Sequence, residues 1–138
     1  MAEEIIIIRG RTIYPGVAEG EALVSPMPLM GWGNVYMPGG YTVERNHPLY
    51  EVPMKGKILV FPYLRGSGGF VMYGRMRKYG TQPAAMLITE SVSVAVTTAM
   101  NLKEPVMTDF DIDPCKVIKT GDHVIVNADE GYIKIARE

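Results

Sequence analysis

The sequence predicts an α/β domain with additional β structure, and three observations predict it. Two short continuous apolar runs, residues 57–61 and 84–89, have the length and composition of buried parallel strands. The segment between them has apolar residues at helical spacing, which completes a strand–helix–strand unit. Both ends of the chain are rich in β-branched and aromatic residues, and we expect them to pair into a barrel-like or second sheet.

The N-terminal third is predicted to be strands followed by a long irregular excursion. Residues 5–14 are strand-like, a turn follows at residues 15–16, and residues 18–24 form the next strand. Residues 25–53 contain nine proline and glycine residues, so they cannot form one regular element. A short hairpin is expected around residues 39–40. Long ordered loops in compact domains often have a function, so this excursion is a candidate for one.

The rest of the chain continues the alternation of strand and helix. Apolar residues recur at helical spacing in residues 70–79, basic residues lie late in that segment, and Gly80 is expected to end the helix. Residues 91–101 have an ambiguous composition, but their length between two apolar strands favours a crossover helix. Residues 105–108 form a third short strand, and residues 123–136 are predicted to be a hairpin.

Length and composition limit the possible classes of protein. The chain has 138 residues, 47% of them hydrophobic and 21% charged, which fits one folded domain over residues 1–138. Fourteen basic residues against fifteen acidic ones, with no basic stripe, make a nucleic-acid partner unexpected. Apolar runs are far shorter than a membrane span, and the acidic N-terminus does not resemble a signal peptide, so we expect a cytoplasmic protein.

The candidate site is the glycine-rich turn between the strand at residues 57–61 and the following helix. Ligands of open α/β folds bind beyond the carboxyl ends of strands, where a helix N-terminus presents free N–H groups. Arg65 can bind a carboxylate or phosphate with its forked donors, and Gly66 and Gly68 allow the backbone to approach a ligand closely. Ser67 would lie among these donors. The alternative interpretation is that Ser67 only caps the helix.

Other patterns that suggest chemistry are excluded or given structural interpretations. Three alternating aspartates resemble a calcium loop, but the positions that require Gly and Glu hold Pro114 and Thr120. A solvated acidic loop, with no metal, is therefore expected for Asp109, Asp111 and Asp113. The two histidines, His47 and His123, are interpreted as structural or surface residues, which disfavours a stand-alone hydrolase that uses Ser67.

Taken in order, the segments resemble the small subunit, or swivel domain, of the aconitase X family. The matching stretches cover most of the chain: Gly10-Arg11, GVAEGEALV (16–24), HPLY (47–50), KGKILVFP (55–62), Arg65-Gly66-Ser67, PAAM (83–86), TGD (120–122) and NADEG (127–131). No single stretch is specific, whereas their order and spacing together are.

The resemblance implies a swivelling β/β/α fold and a two-subunit hydro-lyase that is active only when a large subunit is present. That large subunit would carry a 4Fe–4S cluster and most of the substrate site. Ser67 would be the proton-abstracting base, and Arg65, with the amides of Gly66 and Gly68, would stabilise its alkoxide or hold the substrate's anionic group. The single cysteine, Cys115, agrees with this division, because a cluster needs three or four thiolates.

The substrates known for the family leave alternatives open. The resemblance favours mevalonate 5-phosphate, dehydrated to anhydromevalonate phosphate in isoprenoid synthesis, and the alternative is cis-3-hydroxy-L-proline. Family members have several serines after the Arg-Gly-Ser motif, whereas residues 68–70 of this chain are Gly-Gly-Phe. This departure keeps open a third possibility, a non-catalytic binding module on the same fold.

Overall fold

The computed structural model describes residues 4–30, 35–65, 69–90 and 93–137. The strands are β1 (Glu4–Arg9), β2 (Arg11–Tyr14), β3 (Val17–Val24), β4 (Leu29–Met30), β5 (Val35–Tyr36), β6 (Tyr41–Thr42), β7 (Ile58–Phe61), β8 (Leu64–Arg65), β9 (Ala85–Ile88), β10 (Val106–Thr108), β11 (His123–Asn127) and β12 (Tyr132–Arg137). The helices are α1 (Gly69–Tyr79), α2 (Ser93–Leu102) and α3 (Pro114–Val117).

Eight strands form one mixed sheet in the order β1-β12-β11-β3-β7-β9-β10-β2. The strands β3, β7, β9 and β10 are parallel to their neighbours in this set, and the remaining pairs are antiparallel. The two outermost strands, β1 and β2, are consecutive in the chain and are separated only by Gly10. The sheet therefore curls until its two edge strands meet at Gly10. The α/β class with a barrel-like sheet, which the sequence predicted, is confirmed.

The bend at Gly10 requires a residue without a side chain. A Cβ atom there would lie 2.6 Å from the ring of Phe110 and 3.0 Å from the carbonyl oxygen of Thr108. The amide of Gly10 also donates to the carbonyl oxygen of Gly131 at 3.1 Å. Because the backbone is held this closely on two sides, the long N-terminal strand divides into β1 and β2 at this residue.

The central parallel strands are buried on both faces because they separate two cores. Ile58 and Val60 of β7 pack inside the curled sheet with residues of β9, β11 and β12. Leu59 and Phe61 point to the opposite face, where α1 and α2 cover the sheet. This two-sided burial explains the continuous apolar run seen in the sequence.

The two crossover helices lie against each other on one face of the sheet. At their contact a Cβ on Gly74 of α1 would lie 2.9 Å from the Cβ of Asn101 in α2. α1 matches the predicted helix and ends before Gly80, which has a φ of 68°. α2 (Ser93–Leu102) covers residues 93–101 of the ambiguous segment, so the crossover interpretation is confirmed. None of the described helices is long and apolar enough to cross a membrane.

The acidic segment after β10 is more structured than the expected solvated loop. Asp113 caps α3, a helix that the sequence did not predict, by accepting a hydrogen bond from the amide of Cys115 at 2.9 Å. Asp111 accepts from the amide of Arg9 at 3.0 Å, and Asp109 forms an ion pair with Arg11. These contacts hold the acidic segment against the end of β1 and the start of β2, on either side of Gly10.

Candidate functional site

The carboxyl ends of three parallel strands, β3, β7 and β9, lie at one edge of the sheet. The chain leaves β7 at this edge, forms the two-residue strand β8 and enters α1 at Gly69. The strand end and the helix start that flank the predicted turn are therefore where the sequence predicted them. Arg65 is the last residue of β8, whereas Gly66, Ser67 and Gly68 lie outside the described residues.

The backbone of Arg65 is held by the proline- and glycine-rich excursion. Leu29 and Met30 of β4 pair in parallel with Leu64 and Arg65 of β8. The side chains of Leu29 and Leu64 are 1% and 5% exposed, so this small sheet is anchored in the core. The amide of Leu29 also donates to the carbonyl oxygen of Tyr63 at 3.2 Å.

The guanidinium of Arg65 contacts a carboxylate that the sequence analysis did not identify. Its Nη2 lies 3.3 Å from Oε1 of Glu44, and the two side chains are 47% and 23% exposed. Glu44 lies in the excursion, 21 residues before Arg65. No periodicity or motif in the excursion distinguishes this glutamate from other surface carboxylates.

Two buried oxygens near this ion pair have no hydrogen-bond partner among the residues that the structure describes. They are Oε2 of Glu44 and the hydroxyl of Tyr73. Tyr73 belongs to α1, and its side chain is completely buried. Burial raises the pKa of Tyr73 well above its ordinary value, and the negative charge of Glu44 raises that pKa further. Tyr73 is therefore a neutral phenol.

His47 fixes the excursion from inside, as the structural interpretation of this residue predicted. It is 4% exposed, and its Nδ1 accepts a hydrogen bond from the amide of Leu49 at 3.0 Å. A neutral imidazole that accepts at Nδ1 carries its proton at Nε2. That nitrogen lies 3.0 Å from the carbonyl oxygen of Pro28, to which it donates, and 3.5 Å from Oγ of Ser25.

A cavity of about 520 Å³ opens beyond the same strand ends. Its lining includes Tyr63, two residues before Arg65, and three side chains that contact one another. Oγ1 of Thr89 donates to Oδ1 of Asp113 at 3.1 Å and lies 3.4 Å from the sulfur of Cys115. Burial raises the pKa of the Cys115 thiol; the Asp113 charge raises that pKa as well, and the Thr89 hydrogen bond opposes both. The thiol is therefore protonated and a poor nucleophile.

The described residues do not fit an iron–sulfur cluster. Within the described ranges, no group of three or more His, Cys, Asp or Glu side chains is arranged to hold a metal ion. Cys115 is the only cysteine of the chain, and its sulfur is occupied with Thr89. A cluster cannot be bound by one thiolate.

The fold and the site define an α/β domain with a curled mixed sheet, two described crossover helices on one face, and a glycine-rich sequence between β8 and α1. Residues 7–135 match the family model for the aconitase X swivel domain, and the chain belongs to this family. The family that the sequence predicted, and with it an aconitase X-type hydro-lyase subunit, is confirmed.

Similar proteins match the chain over nearly its full length. A phosphomevalonate dehydratase small subunit from Methanosarcina mazei is 38% identical over 96% of this chain and 93% of its own length. The protein of the same name from Methanosarcina acetivorans is 38% identical over 96% and 92%. The crystal structure of an aconitase X from Thermococcus kodakaraensis, in its holo form, has a TM-score of 0.86 at 31% identity, covering 94% of this chain and 98% of that one.

Proposed function

We propose that this chain is the small subunit of a cytoplasmic dehydratase that converts mevalonate 5-phosphate to anhydromevalonate phosphate. The observation that carries the proposal is the full-length similarity to proteins named as phosphomevalonate dehydratase small subunits. Residues 1–138 would act as one swivel domain beside a larger partner. The described residues of this chain do not fit a cluster, which supports the assignment of the 4Fe–4S cluster of the reaction to that partner.

The position of Arg65 supports the binding of a small anionic hydroxy acid. Its side chain is about half exposed at the end of β8, just before the glycine-rich residues 66–69 of the sequence. Mevalonate 5-phosphate carries a carboxylate and a phosphate, either of which can accept two hydrogen bonds from a guanidinium fork. In the proposal, Arg65 binds one of these groups, and the amides of Gly66 and Gly68 provide further donors.

Ser67 is proposed as the base. Its Oγ would take the proton from the carbon beside the substrate's carboxylate, while the hydroxyl leaves the next carbon and a double bond forms. A serine hydroxyl is a weak acid, so its alkoxide needs positive surroundings. Arg65 and the N-terminus of α1, whose first turn contains no acidic residue, support this role.

Reconstitution of the two-subunit complex tests the proposal. The chain is co-expressed with the large aconitase X-type subunit of the same genome, the cluster is rebuilt without oxygen, and dehydration of mevalonate 5-phosphate is measured. We expect turnover that Ser67→Ala reduces at least about a thousandfold while the complex stays intact, since the base is lost. Ser93→Ala, at the start of α2, is the matched control and should retain activity.

The result also separates the alternatives. Turnover of cis-3-hydroxy-L-proline in place of mevalonate 5-phosphate would support the dehydratase activity and show that the proposed substrate is wrong. A complex with a full cluster that acts on neither compound would favour the non-catalytic module. Failure of the two chains to associate would contradict the proposal that this chain is a subunit of the dehydratase.

A further inference from the structure

The contact between Arg65 and Glu44 is poorly explained by stability. The two side chains are partly exposed and 3.3 Å apart, and ion pairs of this kind contribute little to folding. The second carboxylate oxygen, Oε2, is buried and has no hydrogen-bond partner among the described residues. A buried carboxylate oxygen without a donor is unfavourable, so folding alone would disfavour an acidic residue at this position.

The backbone nevertheless holds Glu44 in place from both sides. Its amide donates to Oγ1 of Thr42 at 3.2 Å, and its carbonyl oxygen accepts from the amide of His47 at 3.0 Å. Both of these neighbours are buried, with exposures of 1% and 4%. His47 is held in turn by its bond to the carbonyl oxygen of Pro28. The backbone that carries the carboxylate is therefore fixed by hydrogen bonds on both sides.

The surroundings of the carboxylate restrict it further. Burial raises the pKa of Tyr73, whose side chain is completely buried, and the negative charge of Glu44 raises that pKa further. The hydroxyl of Tyr73 donates no hydrogen bond to a described residue. Arg65 is thus the only described side chain that donates to the carboxylate, through Nη2. Glu44 binds the guanidinium of Arg65, and β4 pairs with the backbone of Arg65.

We propose that Glu44 is a positioning residue for Arg65: it orients the guanidinium so that the forked donors meet the anionic group of the substrate. This inference rests on the proposed function, because it takes Arg65 as the anion-binding residue. Glu44 itself does not touch the substrate. A flexible arginine reaches an anion in many orientations, whereas one held by a rigid carboxylate is already oriented when the substrate arrives.

A double-mutant cycle in the reconstituted complex tests the inference. The variants are Glu44→Gln, Arg65→Lys and the pair of substitutions together, with kcat/KM for mevalonate 5-phosphate as the readout. Lysine retains the charge of Arg65 but lacks the fork. We expect Glu44→Gln to lower kcat/KM about tenfold in the native background and less than about twofold in the Arg65→Lys background.

A matched control is provided by Glu21→Gln. Glu21 forms an exposed ion pair with Lys57 at 3.0 Å, and this change should leave kcat/KM within about twofold of the native value. The thermal midpoint of Glu44→Gln should stay close to that of the native complex. Equal losses in both Arg65 backgrounds would identify a purely structural role and overturn the inference, as would an unchanged kcat/KM in Glu44→Gln. If Arg65→Lys has no measurable activity, the change in kcat/KM of the Glu44→Gln complex tests the inference alone.

A second measurement does not depend on activity. In NMR spectra of the full chain, the guanidinium protons of Arg65 should exchange with water several-fold more slowly than in Glu44→Gln. If the native complex acts on no substrate while this difference is present, the proposed function fails and the positioning contact stands. If the native complex is active and exchange is the same in both proteins, the positioning contact is wrong and the proposed function stands.

Discussion

Nε2 of His47 donates a hydrogen bond to the carbonyl oxygen of Pro28, 3.0 Å away and 19 residues earlier in the chain. Through this bond the two ends of the irregular excursion are held together in the core. The amide of Leu49 donates to the other ring nitrogen, so both nitrogens have defined partners. The excursion that presents Glu44 is therefore organised by one buried side chain and contains little regular structure.

Replacement of His47 should destabilise the protein. His47→Ala leaves the amide of Leu49 and the carbonyl oxygen of Pro28 without their buried partner, and we expect a loss of about 2 kcal/mol or more in the free energy of unfolding. Urea denaturation followed by circular dichroism measures this loss. His123→Asn is the control, because the side chain of His123 is half exposed and its ring pairs with Glu19 on the surface. A loss of the same size in both variants would contradict the role of His47.

Stability at acid pH should depend on Asp122. The hydrogen bond from Arg137, at 2.5 Å, lowers the pKa of Asp122 below its ordinary value of 3.8. A carboxyl with a lowered folded-state pKa stabilises the protein above the unfolded value, and this contribution disappears as the pH falls through the folded-state pKa. Asp122→Asn should therefore lower the urea midpoint at pH 7 and have progressively less effect below about pH 3.8. A constant difference at every pH would contradict this linkage, and Glu130→Gln is the exposed control.

The thiol of Cys115 should react slowly in the folded protein. Because burial raises its pKa, only a small fraction is thiolate near neutral pH. We expect alkylation by iodoacetamide to be at least about tenfold slower in the native chain than in urea. Mass spectrometry of samples quenched over time gives both rates. Equal rates would show that the thiol is more accessible than its contact with Thr89 indicates.

The contact between α1 and α2 should not tolerate a methyl group at Gly74. Gly74→Ala would place a Cβ 2.9 Å from the Cβ of Asn101 and 3.1 Å from its backbone oxygen, so one helix must move. We expect a loss of about 1–3 kcal/mol in the free energy of unfolding, although alanine is the better helix former. Arg75→Ala, at the exposed neighbouring position, is the control and should change stability by less than about 0.5 kcal/mol. A stabilised Gly74→Ala variant would show that the helices are farther apart.

The elements that were predicted from the sequence are those with a local signal. The apolar run of β7 and the helical spacing of α1, ended by Gly80, indicate their own conformations over short windows. α3 was missed because four residues are too few to show a period, although the aspartate–proline pair at Asp113 and Pro114 is a helix-start signal.

The site was only partly predictable for the same reason. Arg65 was identified because it adjoins a strand end, whereas Glu44 reaches it from 21 residues away through a segment without periodicity. The pairing of β4 with β8 involves two residues on each strand and is determined by the burial of Leu29 and Leu64. Contacts of this kind follow from tertiary packing, which no window of sequence contains. The role of Ser67 remains a prediction, because residues 66–68 lie outside the described ranges.

The bend at Gly10 has a consequence for the order of events during synthesis. β1 pairs with β12, which ends at Arg137, and β2 pairs with β10. β1 is therefore synthesised long before β12, its hydrogen-bonding partner, and β2 long before β10. Such long-range pairing slows folding and leaves an apolar strand exposed in the interval. The isoleucine-rich segment of β1 is thus an apolar part of the nascent chain that remains unpaired until β12 has been made.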